Sequence, residues 1–294
     1  MNMIASASEL TPPSAEELDR EARKIVGEIG IPPCPAVLTK LLREMREDEP
    51  DFPGIGTMLS SDIGLAAAML KTVNSPFYGL GRKATSIKQA LMLLGLQNVA
   101  RLVTGLLLRQ AFAVSNNEAM EGFWTNAANI AAGTAHLAHT LRCAERDEAY
   151  TFGLFRDCGM PLLAGKYADY TNLLSASNLA HGQALLDAEE ERYGLTHALV
   201  GYHMATSWYL APELCQAIQQ HHDVRLLDQG ADGGRGGVLV ALGMLAEHIV
   251  LMSEEDGAAA DGNWPEVGQA VLRRLDLTEA DVARLADDFP EMQS

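Results

Sequence analysis

The chain has 294 residues, of which 48% are hydrophobic, 21% charged and 6% aromatic, as in an ordinary soluble globular protein with a large core. Its formal net charge of −17 argues against broad binding to nucleic acid or to an anionic membrane, because phosphate groups repel an acidic surface. Four cysteines form no CxxC pair and no disulfide-like spacing, which indicates reduced thiols: Cys34, Cys143, Cys158 and Cys215.

The first half of the chain predicts short helices joined by tight turns. Residues 1–30 are expected to form a polar tail and a docking helix, and residues 31–115 a helical half. We expect Asn74, at an Asn-Ser-Pro turn, to cap and anchor a helix end rather than to contact a ligand. The capping and breaking signals of this half lie at Ser61-Asp62, Asn74-Ser75-Pro76, Ser86 and Gly95.

The polar segment 115–118 is the best internal boundary, because all eight histidines lie beyond it. Residues 118–255 predict a second helical half, and residues 256–294 a linker with a C-terminal helical pair. The pattern contains no strand pair and no glycine-rich phosphate loop, so the fold class is all-α, with two packed helical subdomains. Helices of the second half are predicted over 120–141, 147–164, 183–193, 197–209 and 238–252, with a glycine-rich loop over 228–236.

No targeting or membrane-spanning segment is expected. The N-terminus lacks a basic region followed by an apolar run. The longest apolar candidate, Gly237–Met252, contains Glu247 and His248 and is too short to cross a bilayer. We therefore expect a cytoplasmic protein without a membrane partner.

The charge is unevenly distributed along the chain. Residues 63–117 carry six bases and no acid, whereas residues 118–294 carry ten bases and 27 acids. Two interpretations stay open for the basic stretch: a local docking face, or a solvated surface that balances the acidic half. Its basic residues are Lys71, Arg82, Lys83, Lys88, Arg101 and Arg109.

The stretch Gly153-Leu154-Phe155-Arg156-Asp157-Cys158-Gly159 ends an apolar segment in a charged pair and a glycine. Two later groups supply histidines that could lie beside its aspartate: Thr196-His197 and the doublet His221-His222. A buried aspartate near several histidines is how proteins build metal-assisted hydrolases. Arg156, however, stands where such a site needs another histidine. Structural roles are the alternative, with His197 opening a helix and the doublet near a helix C-terminus, where histidine interacts favourably with the dipole.

These motifs resemble the HDOD family, the HD-related output domain of bacterial signalling, over about residues 30–255. The resemblance implies an all-α fold with an HD-like second half, and its motifs follow one another in the family's order. They are Ile31-Pro32-Pro33-Cys34-Pro35, Leu59-Ser60-Ser61-Asp62, Val73-Asn74-Ser75-Pro76, Ser86-Ile87, Leu94-Gly95, Phe123-Trp124, Gly153 to Gly159, Thr196-His197, Trp208 and His221-His222.

The resemblance also implies what this chain has lost. Catalytic members of the related HD superfamily bind divalent metals and hydrolyse phosphate esters, and their His-Asp doublet corresponds here to Arg156-Asp157. The superfamily's earlier histidine falls at about Asn126, and only Glu247 is available for its late aspartate. Arg156 would place a fixed positive charge near any dication, or its guanidinium could fork onto a nearby carboxylate. The remaining, vestigial metal-ligand candidates are Asp157, His197, His221 and His222.

The leading prediction is a non-catalytic signal-transduction module that binds a signalling protein or else a nucleotide, without a catalytic residue or a cofactor. The alternative is a metal-dependent phosphohydrolase or phosphodiesterase that uses iron, manganese or zinc through the four candidate ligands. A third hypothesis is a regulator that contacts nucleic acid through Arg82, Lys83 and Lys88, which the net charge opposes.

Overall fold

The structure is a computed structural model that describes residues 27–74, 83–111, 118–175, 182–228, 234–252 and 264–287. Every regular element in these ranges is a helix, which confirms the predicted all-α class. The predicted N-terminal docking helix lies mostly outside the described residues.

The N-terminal half contains four described helices, two of which start at the predicted capping signals. The carboxylate of Asp62 accepts a hydrogen bond from the backbone N–H of Leu65 at 3.0 Å, and the hydroxyl of Ser86 accepts one from Gln89 at 3.2 Å. Each cap satisfies an N–H group that has no partner within its helix. The helices are α1 (Ala36–Glu44), α2 (Phe52–Ser61), α3 (Ile63–Val73) and α4 (Ile87–Ala111).

Two predicted backbone features shape this half. Gly95 has a φ of 78° inside α4 and bends that helix, a conformation that glycine adopts without steric cost. Asn74 follows the last residue of α3, and its side-chain amide donates to the carbonyl of Ala84 at 2.8 Å while its oxygen accepts the Ala84 N–H at 2.7 Å. Asn74 therefore anchors the end of α3 to the segment before α4, as predicted.

The second half is also built from helices. Its longest elements are α5 and α13, and α13 packs along α5, α11 and α14. The bounds are α5 (Glu118–Leu141), α6 (Arg146–Phe155), α7 (Gly159–Lys166), α8 (Tyr170–Leu174), α9 (Gln183–Tyr193), α10 (His197–Ser207), α11 (Pro212–Gln219), α12 (Arg225–Asp228), α13 (Gly234–Met252), α14 (Trp264–Leu275) and α15 (Glu279–Asp287).

Two sequence predictions need correction here. The single helix predicted over 147–164 is two helices, because the chain turns between Phe155 and Gly159 and buries the guanidinium of Arg156. The loop predicted over 228–236 ends earlier than expected, because α13 already begins at Gly234, whose carbonyl accepts a hydrogen bond from the side chain of Arg274 at 2.7 Å.

One hydrophobic core runs through both halves and is supplemented by polar contacts between them. The indole N–H of Trp208 donates to the carbonyl of Pro32 at 2.9 Å, and Arg101 on α4 forms an ion pair with Asp147 on α6. The N-terminal connector and α4 thus dock directly on the half that carries the histidines.

Two described helices, α4 and α13, are long and apolar enough to cross a bilayer by length and composition alone. The prediction that the run ending at Met252 is too short is therefore corrected: α13 spans 19 residues, with a mean hydropathy of 1.5 in its most apolar window. Two-thirds of that window, 67%, is buried inside the fold, as expected for the core helix of a soluble domain.

Candidate metal centre

The turn between α6 and α7 brings Asp157 to the first turn of α10. A Cβ atom at Gly159 would lie 2.0 Å from the carbonyl oxygen of His197, so only glycine allows α7 and α10 to approach this closely. The N-terminal residue of α10 is fixed by Thr196, whose hydroxyl accepts the Leu199 N–H at 3.2 Å. These contacts place the Asp157 carboxylate beside the buried His197 ring.

Four candidate ligand atoms converge at this point, from Asp157, His197, His221 and His222, and all lie within 4.8 Å of one another. The Nε2 atom of His197 is 3.4 Å from that of His221 and 3.2 Å from that of His222. The Oδ1 atom of Asp157 is 3.1 Å from Nε2 of His221 and 3.5 Å from Nε2 of His197. The structure thus brings together all four residues that the sequence nominates.

The outer nitrogens of two histidines are held by acceptors. Nδ1 of His221 lies 2.7 Å from the carbonyl oxygen of Ile218, and Nδ1 of His197 lies 2.8 Å from the Glu189 carboxylate. Since these oxygens only accept, each Nδ1 carries a proton, and in its neutral form each ring turns an Nε2 lone pair toward the cluster. Oδ1 of Asp157 is buried there without a hydrogen bond of good geometry, and Nε2 of His221 lies 3.1 Å from it.

Arg156 forms the wall beside the cluster. Its Nε donates to Oδ2 of Asp157 at 2.8 Å, one terminal nitrogen pairs with Glu247 at 2.7 Å, and the other donates to the Gly243 carbonyl at 3.2 Å. The guanidinium thus pairs with two carboxylates, one nitrogen to each, and does not fork onto a single one as predicted. Glu247 neutralises the arginine and is not one of the four converging ligands.

The electrostatics follow from this pairing. Burial opposes ionisation of both Arg156 and Asp157, but their mutual attraction outweighs it: the pKa of Arg156 is raised, and that of Asp157 lies well below its ordinary value. The carboxylate is thus ionised at neutral pH and available to a cation.

The three histidines titrate differently. Burial lowers the pKa of His197, yet Glu189 and Asp157 together raise it to about 9. For His221 burial dominates and its pKa is lowered, while burial and the two neighbouring rings take the pKa of His222 well below 6.5. Two of the three rings are accordingly neutral donors at pH 7.

Sequence reasoning missed Glu189 and Tyr170. Glu189 lies in an acidic run that indicates a solvated helix face, yet it is fully buried and accepts a hydrogen bond from the Tyr170 hydroxyl. Its position four residues after the buried Leu185 is the signal that could have found it, because that spacing places it on the inner face of α9.

The histidine pair His136 and His139 on α5 is not part of the cluster. His139 lines a surface cavity of about 440 Å³, together with exposed arginines that include Arg142 and Arg235. Arg235 is already paired with Glu148 at 3.2 Å, and the cavity shares no residue with the four-ligand cluster.

Comparison with known proteins agrees with this fold. A model of the HDOD domain family matches residues 31–224. A curated relative from Treponema pallidum (strain Nichols), described as an uncharacterized protein, is 23% identical over 231 residues, which cover 74% of this chain. The chain spans only 43% of that relative's length.

Solved structures with the same fold cover most of the chain. An HDOD domain protein from Geobacter sulfurreducens, of unknown function, is 18% identical and aligns with 95% of this chain and 99% of its own, with a TM-score of 0.69. A Marinobacter aquaeolei VT8 protein named for signal transduction is 20% identical over 94% of this chain and 63% of its own (TM-score 0.73). A Shewanella amazonensis SB2B protein named for phosphohydrolase activity is 22% identical over 92% and 94% (TM-score 0.67).

Proposed function

The chain belongs to the HDOD domain family. We propose that it is a non-catalytic signalling module that binds another protein. We further propose that one divalent cation joins several of its helices. The observation that carries the proposal is the convergence of four protein ligand atoms on one point beside a locked arginine. Of the two sequence expectations for cofactors, none or a divalent metal, this geometry favours the metal.

The separations within the cluster fit a single ion. Zinc–ligand bonds of about 2.1 Å in a tetrahedral site place neighbouring ligand atoms about 3.4 Å apart. Four of the six ligand-atom separations among Asp157, His197, His221 and His222 range from 3.1 to 3.5 Å, and the other two are no longer than 4.8 Å. Imidazole nitrogens with one carboxylate oxygen suit zinc, iron and manganese, and zinc is the best match for four-coordination. The donors come from the α6–α7 turn, α10 and the segment after α11, so an ion would join these elements.

Four protein ligands would fill the coordination sphere of a tetrahedral ion, which supports a non-catalytic role. Structural zinc sites use four protein ligands, whereas catalytic sites keep three and leave one position for water. Here Oδ1 of Asp157 would be the fourth ligand, and Oδ2 is held by Arg156, so the carboxylate has no freedom to swing away. A metal held in this way supplies cross-linking of helices.

A metal-dependent phosphohydrolase is the second candidate, because the same donor set could hold a Lewis acid at a phosphate ester. It requires an open coordination position, which a five- or six-coordinate iron or manganese would retain. The presence of Arg156 in place of the superfamily's histidine argues against it, since that substitution removes a neutral donor and adds a fixed positive charge.

Metal titration separates these candidates. EDTA-treated wild type, His221→Ala and the control His136→Ala are each titrated with Zn²⁺, Mn²⁺ or Fe²⁺. Three quantities are measured: bound metal, the thermal unfolding midpoint and the rate of hydrolysis of bis(p-nitrophenyl) phosphate. We expect one ion per chain in wild type and the control, a gain of about 2.7 kcal/mol at an ion concentration 100 times Kd, and no hydrolysis. We expect His221→Ala to lose the ion.

Two results would contradict the proposal. Wild type that takes up no ion would refute the metal site. Metal-dependent hydrolysis that disappears in His221→Ala but persists in His136→Ala would replace the proposal with the phosphohydrolase.

The protein-binding role is supported by the surface of the N-terminal half. Its exposed bases include Lys71, Lys83 and Lys88, and the same half exposes Ile63 by 83% and Met92 by 72%. Exposed apolar side chains beside basic ones suit an acidic protein partner. Affinity capture from the native cell is expected to recover a partner with wild type and to lose it with the folded triple variant K71E/K83E/K88E. Capture of the same proteins by both would contradict this surface.

A further inference from the structure

We propose that Glu189 is a positioning residue for the cation site: supported by Tyr170, it holds the His197 ring so that Nε2 faces the cation. This inference rests on the proposed function, because the role it assigns requires a bound ion. It adds to the four ligands a buried carboxylate that contacts no ion itself.

Glu189 is isolated from solvent and surrounded by donors. Glu189 and Tyr170 are both 0% exposed. The carboxylate accepts a hydrogen bond from the Tyr170 hydroxyl, one from the backbone N–H of His197 at 2.8 Å, and one from its Nδ1 at 2.8 Å. A buried carboxylate costs several kcal/mol unless it is paired, so this complete set of donors compensates a group that packing alone would exclude.

The contact with His197 determines what that ring can do. A carboxylate only accepts hydrogen bonds, so Nδ1 keeps its proton, and once the ring is neutral its lone pair is on Nε2. The bond to the backbone N–H of the same residue fixes the carboxylate relative to the start of α10. Ring orientation, tautomer and donor strength of His197 therefore all depend on Glu189.

His221 has a neutral acceptor at its outer nitrogen instead of a carboxylate. Nδ1 of His221 lies against the neutral carbonyl of Ile218, 2.7 Å away. Of these two ligands, His197 therefore has the stronger acceptor, and loss of an acceptor of this kind costs about 10- to 100-fold in metal affinity.

Helix α9 itself offers a matched control, because Glu191 is also a glutamate, lies two residues after Glu189 and is exposed. Zinc affinity is measured by competition with a chromophoric chelator for wild type, Glu189→Gln and Glu191→Gln. We expect Glu189→Gln to bind zinc about 10- to 100-fold more weakly and Glu191→Gln to match wild type. Equal affinities in all three folded proteins would overturn the positioning role while leaving the metal site in place.

A second measurement needs no variant and remains decisive if Glu189→Gln fails to fold. In the zinc-loaded wild type, nitrogen-15 NMR of the assigned His197 ring is expected to show a protonated Nδ1 and a metal-bound Nε2. A zinc-bound Nδ1, or a protonated Nε2, would refute the inference. Wild type without zinc affinity would refute the proposed site itself, which is a distinct outcome from equal affinities among the variants.

Discussion

Replacement of Arg156 by methionine is expected to destabilise the fold by about 3–5 kcal/mol, because it leaves two carboxylates buried without their cation. Arg156 is 2% exposed, and the side chains of its partners Asp157 and Glu247 are only 13% and 17% exposed. Methionine fills a similar volume and removes the charge, so the change isolates the electrostatic contribution.

The magnitude follows from the contacts. At an N–O separation of 2.8 Å, an effective dielectric constant of about 20 gives an attraction of roughly 6 kcal/mol. The pair with Glu247, at 2.7 Å, is similar. The variant also avoids the cost of burying the guanidinium, and this saving offsets a large part of the lost attraction. The net loss of stability is then about 3–5 kcal/mol, as for other buried ion pairs that lose one partner.

Urea unfolding of EDTA-treated protein measures this loss directly, with the midpoint and the slope compared between variants. Arg225→Met is the matched control, since Arg225 pairs with Asp223 at 2.8 Å but its side chain is 85% exposed, and we expect no measurable change. The double variant R156M/E247Q should recover part of the loss. The reasoning is refuted if R156M unfolds at the same midpoint as the Arg225 control.

Two further predictions concern packing and pH. Gly159→Ala should destabilise the protein by about 1–3 kcal/mol in urea unfolding, because its Cβ would lie 2.0 Å from the carbonyl oxygen of His197. The control Gly122→Ala, whose Cβ would have no heavy atom within 4 Å, should be neutral or stabilising. Equal effects of the two substitutions would contradict the close approach of α7 and α10. In EDTA-treated protein, the raised pKa of His197 contributes stability that is complete below pH 6.5 and is lost as the pH rises through about 9. The lowered pKa values of His221 and His222 contribute stability that is present above pH 6.5 and is lost as the pH falls below it. Unfolding midpoints should therefore peak near pH 7, and a monotonic profile from pH 5 to 10 would contradict this assignment.

Most of the fold could be predicted from the sequence because its signals are local. Asp62 and Ser86 cap helices through their own side chains, and Gly95 bends α4 through its own backbone. The exceptions are two helix boundaries that involve tertiary contacts between residues far apart in the sequence. The turn after Phe155 is accompanied by a buried guanidinium, and the early start of α13 at Gly234 by a hydrogen bond from the distant Arg274.

The candidate site could be predicted only in part. The family resemblance points to Asp157 and the three histidines, and the structure brings them together. The resemblance does not point to Glu189, which belongs to an acidic run. It points to Glu247 only as a substitute for a metal-binding aspartate and not as the partner of Arg156. Pairing across 91 positions, as between Arg156 and Glu247, is determined by packing and leaves no local periodic signal.

The central claim, a single cation with all its coordination positions filled by protein, is tested most directly by the absorption spectrum of the cobalt(II)-substituted protein with and without azide. We expect one Co²⁺ per chain, the visible bands of a tetrahedral site with nitrogen and oxygen ligands, and no change on addition of azide, because Asp157, His197, His221 and His222 leave no open position. Bands that shift with azide, or a five- or six-coordinate spectrum, would contradict the closed site and favour a catalytic one.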